Sequence, residues 1–240
     1  MSGAPVLEAR SLGRRFGPVR APERVDLELR AGETALVLGA NGTGKTTLLR
    51  MAAGLLPPSE GELRVGGASP RGGGAEARRR IGYLSHAPGL YPELTAAENL
   101  RFFAELHRIP DRRRRIDALL EEAGLAGWED EPVRVFSRGM IQRLALARVF
   151  LHRPGLLLLD EPFTGLDRRG AEALADRLLR RAGEGGAALV ATHRIEAAAR
   201  IGDRAVVLRK GGEARTVELA GADREERAAA LRDALEEGER

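Results

Sequence analysis

The 240-residue chain is 43 % apolar, the length of one large domain with material for a substantial core. No run of about 18 apolar residues offers a membrane span, and Met1–Pro5 lacks the charged-then-apolar pattern of a signal peptide. The net charge of +4 rests on 39 basic residues, of which only Lys45 and Lys210 are lysines; scattered arginine of this kind reads as solvated surface, so no nucleic acid is expected as a partner, and a cytoplasmic location is expected, which the absence of cysteine permits.

Val25, Leu27 and Leu29 alternate with Asp26 and Glu28, the pattern of a half-exposed strand, and Val6–Arg10 is its expected partner. Phe16-Gly17 follows in a turn-rich stretch. By itself Phe16 is more often a core residue than a base-stacking one. Ala35–Leu38 reads as a buried strand and Thr46–Ala53 as a helix stopped by Gly54. Between them lies Gly39-Ala40-Asn41-Gly42-Thr43-Gly44-Lys45-Thr46, the G-x-x-x-x-G-K-[ST] spacing of a phosphate-binding loop. Its glycines let backbone N–H groups turn onto phosphates at a helix N-terminus. Lys45 adds a point charge and the Thr46 hydroxyl a magnesium ligand. A bound nucleoside triphosphate is the implication.

Further on, Leu63–Val65 is an expected strand, Gly66–Gly74 a mobile surface loop, and Ile81–Leu84 a short strand leaving as the loop Ser85–Gly89. Thr95–Glu98 is a capping box opening a helix with Leu100, Phe103 and Leu106 on one face, broken at Pro110-Asp111. A second helix carries Ile116, Leu119 and Leu120, and a third runs from Ser137 through Phe150, so residues 94–153 read as an all-helical insertion. Two arginine runs, Arg78–Arg80 and Arg112–Arg115, stay open as partner surfaces.

The unalternating Leu156–Leu159 suits a parallel strand covered on both faces, and Asp160-Glu161 follows at its carboxyl end, where open α/β sheets hold their ligands. Asp160 offers a hard oxygen for magnesium and Glu161 a general base for water. A helix over Arg169–Arg181 leads to the strand Ala188–Thr192, and His193 ends that strand, in reach of the same edge and of a γ-phosphate. Arg204–Leu208 is a further strand turning back towards Val217, and the charged helical tail from Asp223 is expected to be peripheral.

Over essentially its whole length the chain resembles the nucleotide-binding subunit of an ABC transporter. Besides the P-loop and Leu156–Glu161, the resemblance rests on Thr164-Gly165-Leu166-Asp167 (the D-loop), His193 (the switch histidine), Phe16 (the adenine-stacking aromatic) and Phe136–Met140 at the signature position. Ser137 and Gly139 fit the usual Leu-Ser-Gly-Gly-Gln, while Phe136, Arg138 and Met140 depart from it. His86 stands where glutamine is usual. Ser85-His86, Phe136–Met140 and Pro162–Asp167 together look most like the haem-exporter ATP-binding subunits of cytochrome c biogenesis.

The resemblance implies an α/β fold: a P-loop NTPase (RecA-like) core with an N-terminal antiparallel β subdomain and an inserted α-helical subdomain, as one domain over residues 1–240. The core is expected over 1–93 and 154–220, the helical signature subdomain over 94–153 and a C-terminal tail over 221–240. It implies Glu161 and His193 as catalytic residues, and Thr46 and Asp160 as ligands of Mg2+. ATP is expected on Phe16, Gly39, Ala40, Asn41, Gly42, Thr43, Gly44, Lys45, Thr46, Thr47, His86 and Asp167, and on Ser137 and Gly139 of the signature, which contacts the γ-phosphate bound to the opposite subunit. The expected partners are a second copy of the chain and separate transmembrane permease subunits, with the chain peripheral on the inner face of the cell membrane. A non-transport ABC ATPase or a P-loop kinase or GTPase fits less well: the first usually carries tandem cassettes or long inserts, the second lacks the signature segment and His193.

Overall fold

The computed structural model describes residues 4–72 and 78–239. Its first layer is an antiparallel sheet in the order β4-β1-β6, built from β1 (Leu7–Gly13), β4 (Val25–Leu29) and β6 (Glu60–Val65), with Leu7 opposite Leu29 and Val65. The alternation at Val25, Leu27 and Leu29 buries those three side chains. A small hairpin, β2 (Arg15–Phe16) and β3 (Val19–Arg20), sits between β1 and β4 in the chain.

The second layer is a six-stranded sheet in the order β11-β10-β5-β9-β8-β7. Here β5 is Thr34–Leu38, β7 Ile81–Leu84, β8 Leu156–Asp160, β9 Ala187–Ala191, β10 Arg204–Arg209 and β11 Gly212–Glu218. All pairings are parallel except β10 with β11. The leucine run explains how this sheet is covered. Leu156 and Leu158 pack with β1, β4, β6 and helix α1 (Lys45–Ala52), whereas Leu157 and Leu159 pack with the helices on the other face. Pleating alone sends successive leucines to opposite cores, so no position on β8 is left for a polar residue until Asp160.

Three α-helices lie between β7 and β8 in the chain: α2 (Ala96–Leu106), α3 (Arg112–Glu122) and α4 (Arg138–Phe150), the last preceded by a 3-10 turn at Val133–Val135. The capping box is formed in both directions, Glu98 N–H donating to Thr95 Oγ1 at 3.1 Å and Thr95 N–H to Glu98 Oε2 at 2.9 Å. Leu100 is buried as expected, but Leu106 is 62 % exposed, because α2 ends there and its last turn leaves the core. The chain closes with α5 (Arg168–Gly183), α6 (Ile195–Ile201) and α7 (Arg224–Glu239). The tail is not peripheral as expected: Ala228, Leu231 and Ala234 give α7 an apolar stripe that joins the core, and Arg227 donates to the Gly202 carbonyl at the end of α6. Its high charge conceals a stripe at helical spacing. The strand at Leu63–Val65 begins earlier than expected, at Glu60. Of the glycine-rich stretch, Gly66–Gly72 forms surface turns around a buried Pro70, and 73–74 lie outside the described residues.

Candidate functional site

The loop after β5 is built so that only glycine fits at its two ends. Gly39 (φ 138) would place a Cβ 2.4 Å from the Leu208 carbonyl oxygen, and Gly44 (φ 105) one 2.3 Å from Pro22 N. Ala40, Asn41 and Gly42 form the exposed tip, Thr43 is buried with its hydroxyl donating to Ala40 O at 2.9 Å, and Thr47 lies in the first turn of α1. Lys45 Nζ folds back onto Gly39 O at 2.7 Å and Ala40 O at 3.1 Å. Burial lowers its pKa, and the Glu161 and Asp160 carboxylates oppose that shift.

Strand β8 delivers Asp160, 4 % exposed, against the start of α1, where Thr46 Oγ1 donates to Asp160 Oδ2 at 2.7 Å. Burial pushes the Asp160 carboxyl up, and the Thr46 hydrogen bond holds it back. A hydroxyl and a buried carboxylate in contact form a hard oxygen pair that fits magnesium. Glu161 follows with φ 52, a left-handed backbone that costs about 1–2 kcal/mol outside glycine. Its N–H donates to Ala191 O at 2.8 Å and its carbonyl accepts from Thr164 N–H at 3.1 Å, so both neighbouring segments hold the turn. The turn brings Glu161 Oε2 to 2.9 Å from His193 Nδ1, and the His193 N–H donates to the same oxygen at 3.4 Å. Lys45, Thr46, Asp160, Glu161 and His193 thus meet at the C-terminal ends of β5, β8 and β9.

Ser137 and Gly139 lie elsewhere, together with the D-loop. Ser137 caps α4, its Oγ accepting from Met140 N–H at 3.3 Å, and Asp167 caps α5, its Oδ1 accepting from Gly170 N–H at 2.7 Å. A Cβ on Gly139 would sit 3.0 Å from the Gly165 carbonyl oxygen, and Arg138 lies over Gly165. The four residues Ser137, Gly139, Gly165 and Asp167 line one cavity of about 680 Å³, in which no P-loop residue takes part.

Phe16 is 47 % exposed on the β2–β3 hairpin with the Arg14 guanidinium 5.4 Å from its ring centre. The hairpin runs on into Pro22, which packs on Gly44 and so holds Phe16's segment beside the P-loop. His86 is exposed just past β7, near enough to Asp160 to favour its ionised form.

Sequence reasoning passes over two organising residues. Arg194, next to His193, donates to the Phe163 and Leu166 carbonyls at 3.1 and 3.3 Å and so ties the switch histidine's segment to the D-loop. Adjacency to His193 is the only signal for it. Asn99, fully buried on α2, bonds Tyr91 through both N–H and carbonyl and also donates to Leu94 and Thr95 carbonyls, fixing the loop before the helix.

The ABC transporter family profile matches residues 22–164. The cytochrome c biogenesis ATP-binding export protein CcmA of Xanthomonas campestris pv. campestris is 43 % identical, over 85 % of this chain and 94 % of that protein. The uncharacterized ABC transporter ATP-binding protein YdbJ of Bacillus subtilis is 36 % identical, over 91 % of this chain and 71 % of its own length. Among solved structures, the dimeric post-hydrolysis state of the ATP-binding cassette MJ0796 bound to ADP and Pi superposes with a TM-score of 0.81 at 27 % identity, covering 90 % of this chain and 99 % of that one. Fold, site and sequence agree, and this chain belongs to the ABC transporter family as a CcmA-like, ATP-hydrolysing nucleotide-binding subunit.

Proposed function

We propose that the chain is the motor of an ABC exporter: two copies enclose two ATP molecules and drive separate membrane subunits, with haem for cytochrome c biogenesis as the cargo. The observation that carries the motor reading is the division of the site into two clusters, P-loop with Asp160, Glu161 and His193 in one, Ser137 and Gly139 with the D-loop in the other. A second copy facing the first supplies the missing half to each nucleotide. The MJ0796 dimer supports this arrangement.

In the proposed cycle Lys45 leaves the Gly39 and Ala40 carbonyls for the β- and γ-phosphates. Thr46 and Asp160 would hold Mg2+, which when bound neutralises charge on the phosphate oxygens. Glu161 takes a proton from the attacking water, whose oxygen bonds to the γ-phosphorus as the bond to the ADP oxygen breaks. His193, held on Glu161 at 2.9 Å, hydrogen-bonds the γ-phosphate in this cycle. Ser137 N-capping α4 offers the partner's γ-phosphate a hydroxyl and a helix N-terminus.

An exposed apolar face supports the membrane partner: Tyr91 and Phe102, 5.1 Å apart edge to face, and Leu106 all stand in solvent beyond the His86 loop. No helix among the described residues is long and apolar enough to cross a membrane, so anchoring falls to that partner on the inner face of the membrane. Haem as cargo rests on the CcmA likeness, and the YdbJ likeness keeps export of another compound as the second reading. Complementation separates them. In a cell lacking its own cytochrome c biogenesis ATP-binding export protein, this chain, expressed with its own membrane subunits, restores haem-loaded c-type cytochromes and its Glu161→Gln variant does not. Normal ATPase activity with no restored cytochrome would reject haem and leave the motor intact.

A further inference from the structure

Two arginine runs that the nucleotide reading leaves unused converge at the end of the sheet opposite the P-loop. A cavity of about 670 Å³ opens at the N-terminal ends of β7 and β8, where α2 ends and α3 begins. Arg79 of the first run and Arg114 and Arg115 of the second line it with His107, Arg108 and Arg153. Asp111 is the one carboxylate among its described lining residues.

Arg115 is already engaged, donating to the Phe150 and Leu151 carbonyls at the end of α4. Arg108, Arg114 and Arg153 are different: among the described residues their guanidinium groups make no hydrogen bond or ion pair, and all three are exposed. His107 stacks on His152 with ring centres 3.9 Å apart, walling one side. The pair adds no negative charge: burial lowers the pKa of both rings, and the nearby Arg148 guanidinium adds to that shift. Three guanidinium groups without a hydrogen-bonded partner among the described residues, with only Arg153 in electrostatic range of a carboxylate outside the cavity, Glu184, focus positive potential over a concave wall. The volume is that of a small-ligand site, not of a flat nucleic-acid face. Guanidinium forks match phosphoryl oxygens in geometry as well as charge.

We propose that this pocket is a second anion site, separate from the P-loop, for a compact phosphoryl-bearing anion, carried either by a free phosphate compound or by the headgroup of an anionic lipid.

The test uses the full chain with its nucleotide site first saturated with ADP and magnesium, so that added phosphate does not report on the P-loop. Pyrophosphate pre-equilibrated with magnesium at the same free concentration is titrated by calorimetry against a protein-free blank, and phosphatidylglycerol vesicles are compared with pure phosphatidylcholine vesicles by co-sedimentation. Saturable pyrophosphate binding assigns the free compound; phosphatidylglycerol binding alone assigns the headgroup. In either case the triple variant Arg108→Gln/Arg114→Gln/Arg153→Gln weakens binding at least about tenfold while ADP binding is kept. Should the triple variant lose ADP binding, Arg114→Gln alone, an exposed helix position, gives the same reading at about threefold. Binding of neither probe, or binding the variants leave unchanged, overturns the proposal. Binding of polyglutamate alone overturns it in favour of an acidic protein segment.

Discussion

At the C-terminal ends of the parallel strands, two carboxylates, a lysine, a threonine and a histidine satisfy one another, each contact within 3.1 Å along Thr46–Asp160, Glu161–His193 and Lys45 with the loop carbonyls. At the N-terminal ends of β7 and β8 the same sheet gathers arginines and two histidines with a single carboxylate. The first edge is pre-organised: its groups hold their geometry through internal partners, which the proposed cycle exchanges for phosphate and metal. The second edge is under-compensated: Asp111 is the one carboxylate among its described lining residues, and the Arg108 and Arg114 guanidinium groups make no ion pair there. Substitutions at the first edge are therefore expected to act on nucleotide chemistry, and those at the second on electrostatics and stability.

The largest effect is expected at Glu161. Glu161→Gln keeps shape and the contact to His193 but removes the base, so turnover falls about 10²–10⁴-fold while ATP still binds and holds a dimer. Steady-state turnover together with sizing chromatography in ATP and magnesium reads both. Turnover near wild type would take Glu161 out of the mechanism.

Lys45→Ala comes next. Without the ammonium group, the phosphates lose a charge-assisted contact worth about 1.5–3 kcal/mol, or roughly 10–100-fold in affinity. Titration with a fluorescent ATP analogue measures it, and unchanged affinity would refute the role of this loop in phosphate binding.

At the opposite edge the expected signature is a pH dependence. Burial, then the His107 ring and Arg148, push the His152 pKa down to about 4, although its Nε2 bonds to the Ile81 carbonyl at 3.1 Å. The folded ring stays neutral while the unfolded one takes a proton below about pH 6.5. Stability is thus complete above that pH and falls as pH drops towards 4, by at most about 3 kcal/mol from this residue. His152→Gln keeps a donor for Ile81 without titrating, so its acid loss should be smaller than that of the wild type; His107, lowered too by burial and by Arg79 and Arg148, retains its share. Urea unfolding of both proteins between pH 4 and 7 checks this, and parallel curves would contradict it.

The two edges also differ in how far they can be read from sequence. The P-loop, Asp160-Glu161 and His193 are each a strand followed at once by its functional residue, so local spacing suffices to place them. The arginine pocket draws on residues 79, 107–115 and 153, and no spacing along the chain announces that the ends of α2 and β7 meet. Leu106 and α7 fail for a related reason: periodicity tells which face is apolar, not whether a turn remains within the core or what a charged tail covers. Arg194 is invisible because its partners are backbone carbonyls, which every sequence possesses.

The smallest expected effect lies at His86, which connects the two edges. Strand β7 begins at Ile81, bonded by His152, is gripped midway by Arg148 donating to the Tyr83 carbonyl at 3.2 Å, and ends just before Ser85-His86. His86 is exposed and sensed electrostatically by Asp160, yet an imidazole nitrogen is a poorer magnesium ligand than the amide oxygen usual here. It is therefore suited to hydrogen-bond water or phosphate, or to touch the membrane subunit beside the exposed Tyr91 and Phe102 face. Nucleotide affinity rests on the P-loop, which this position does not touch. His86→Ala should leave ATP binding by the isolated chain within error and slow turnover of the assembled transporter about fivefold, the worth of one hydrogen bond near 1 kcal/mol. His86→Gln, which restores an amide of similar reach, should recover much of that rate. Binding and turnover of both variants, with and without the membrane subunits, decide the matter: wild-type turnover for His86→Ala in the full complex would reduce His86 to a tolerated loop residue.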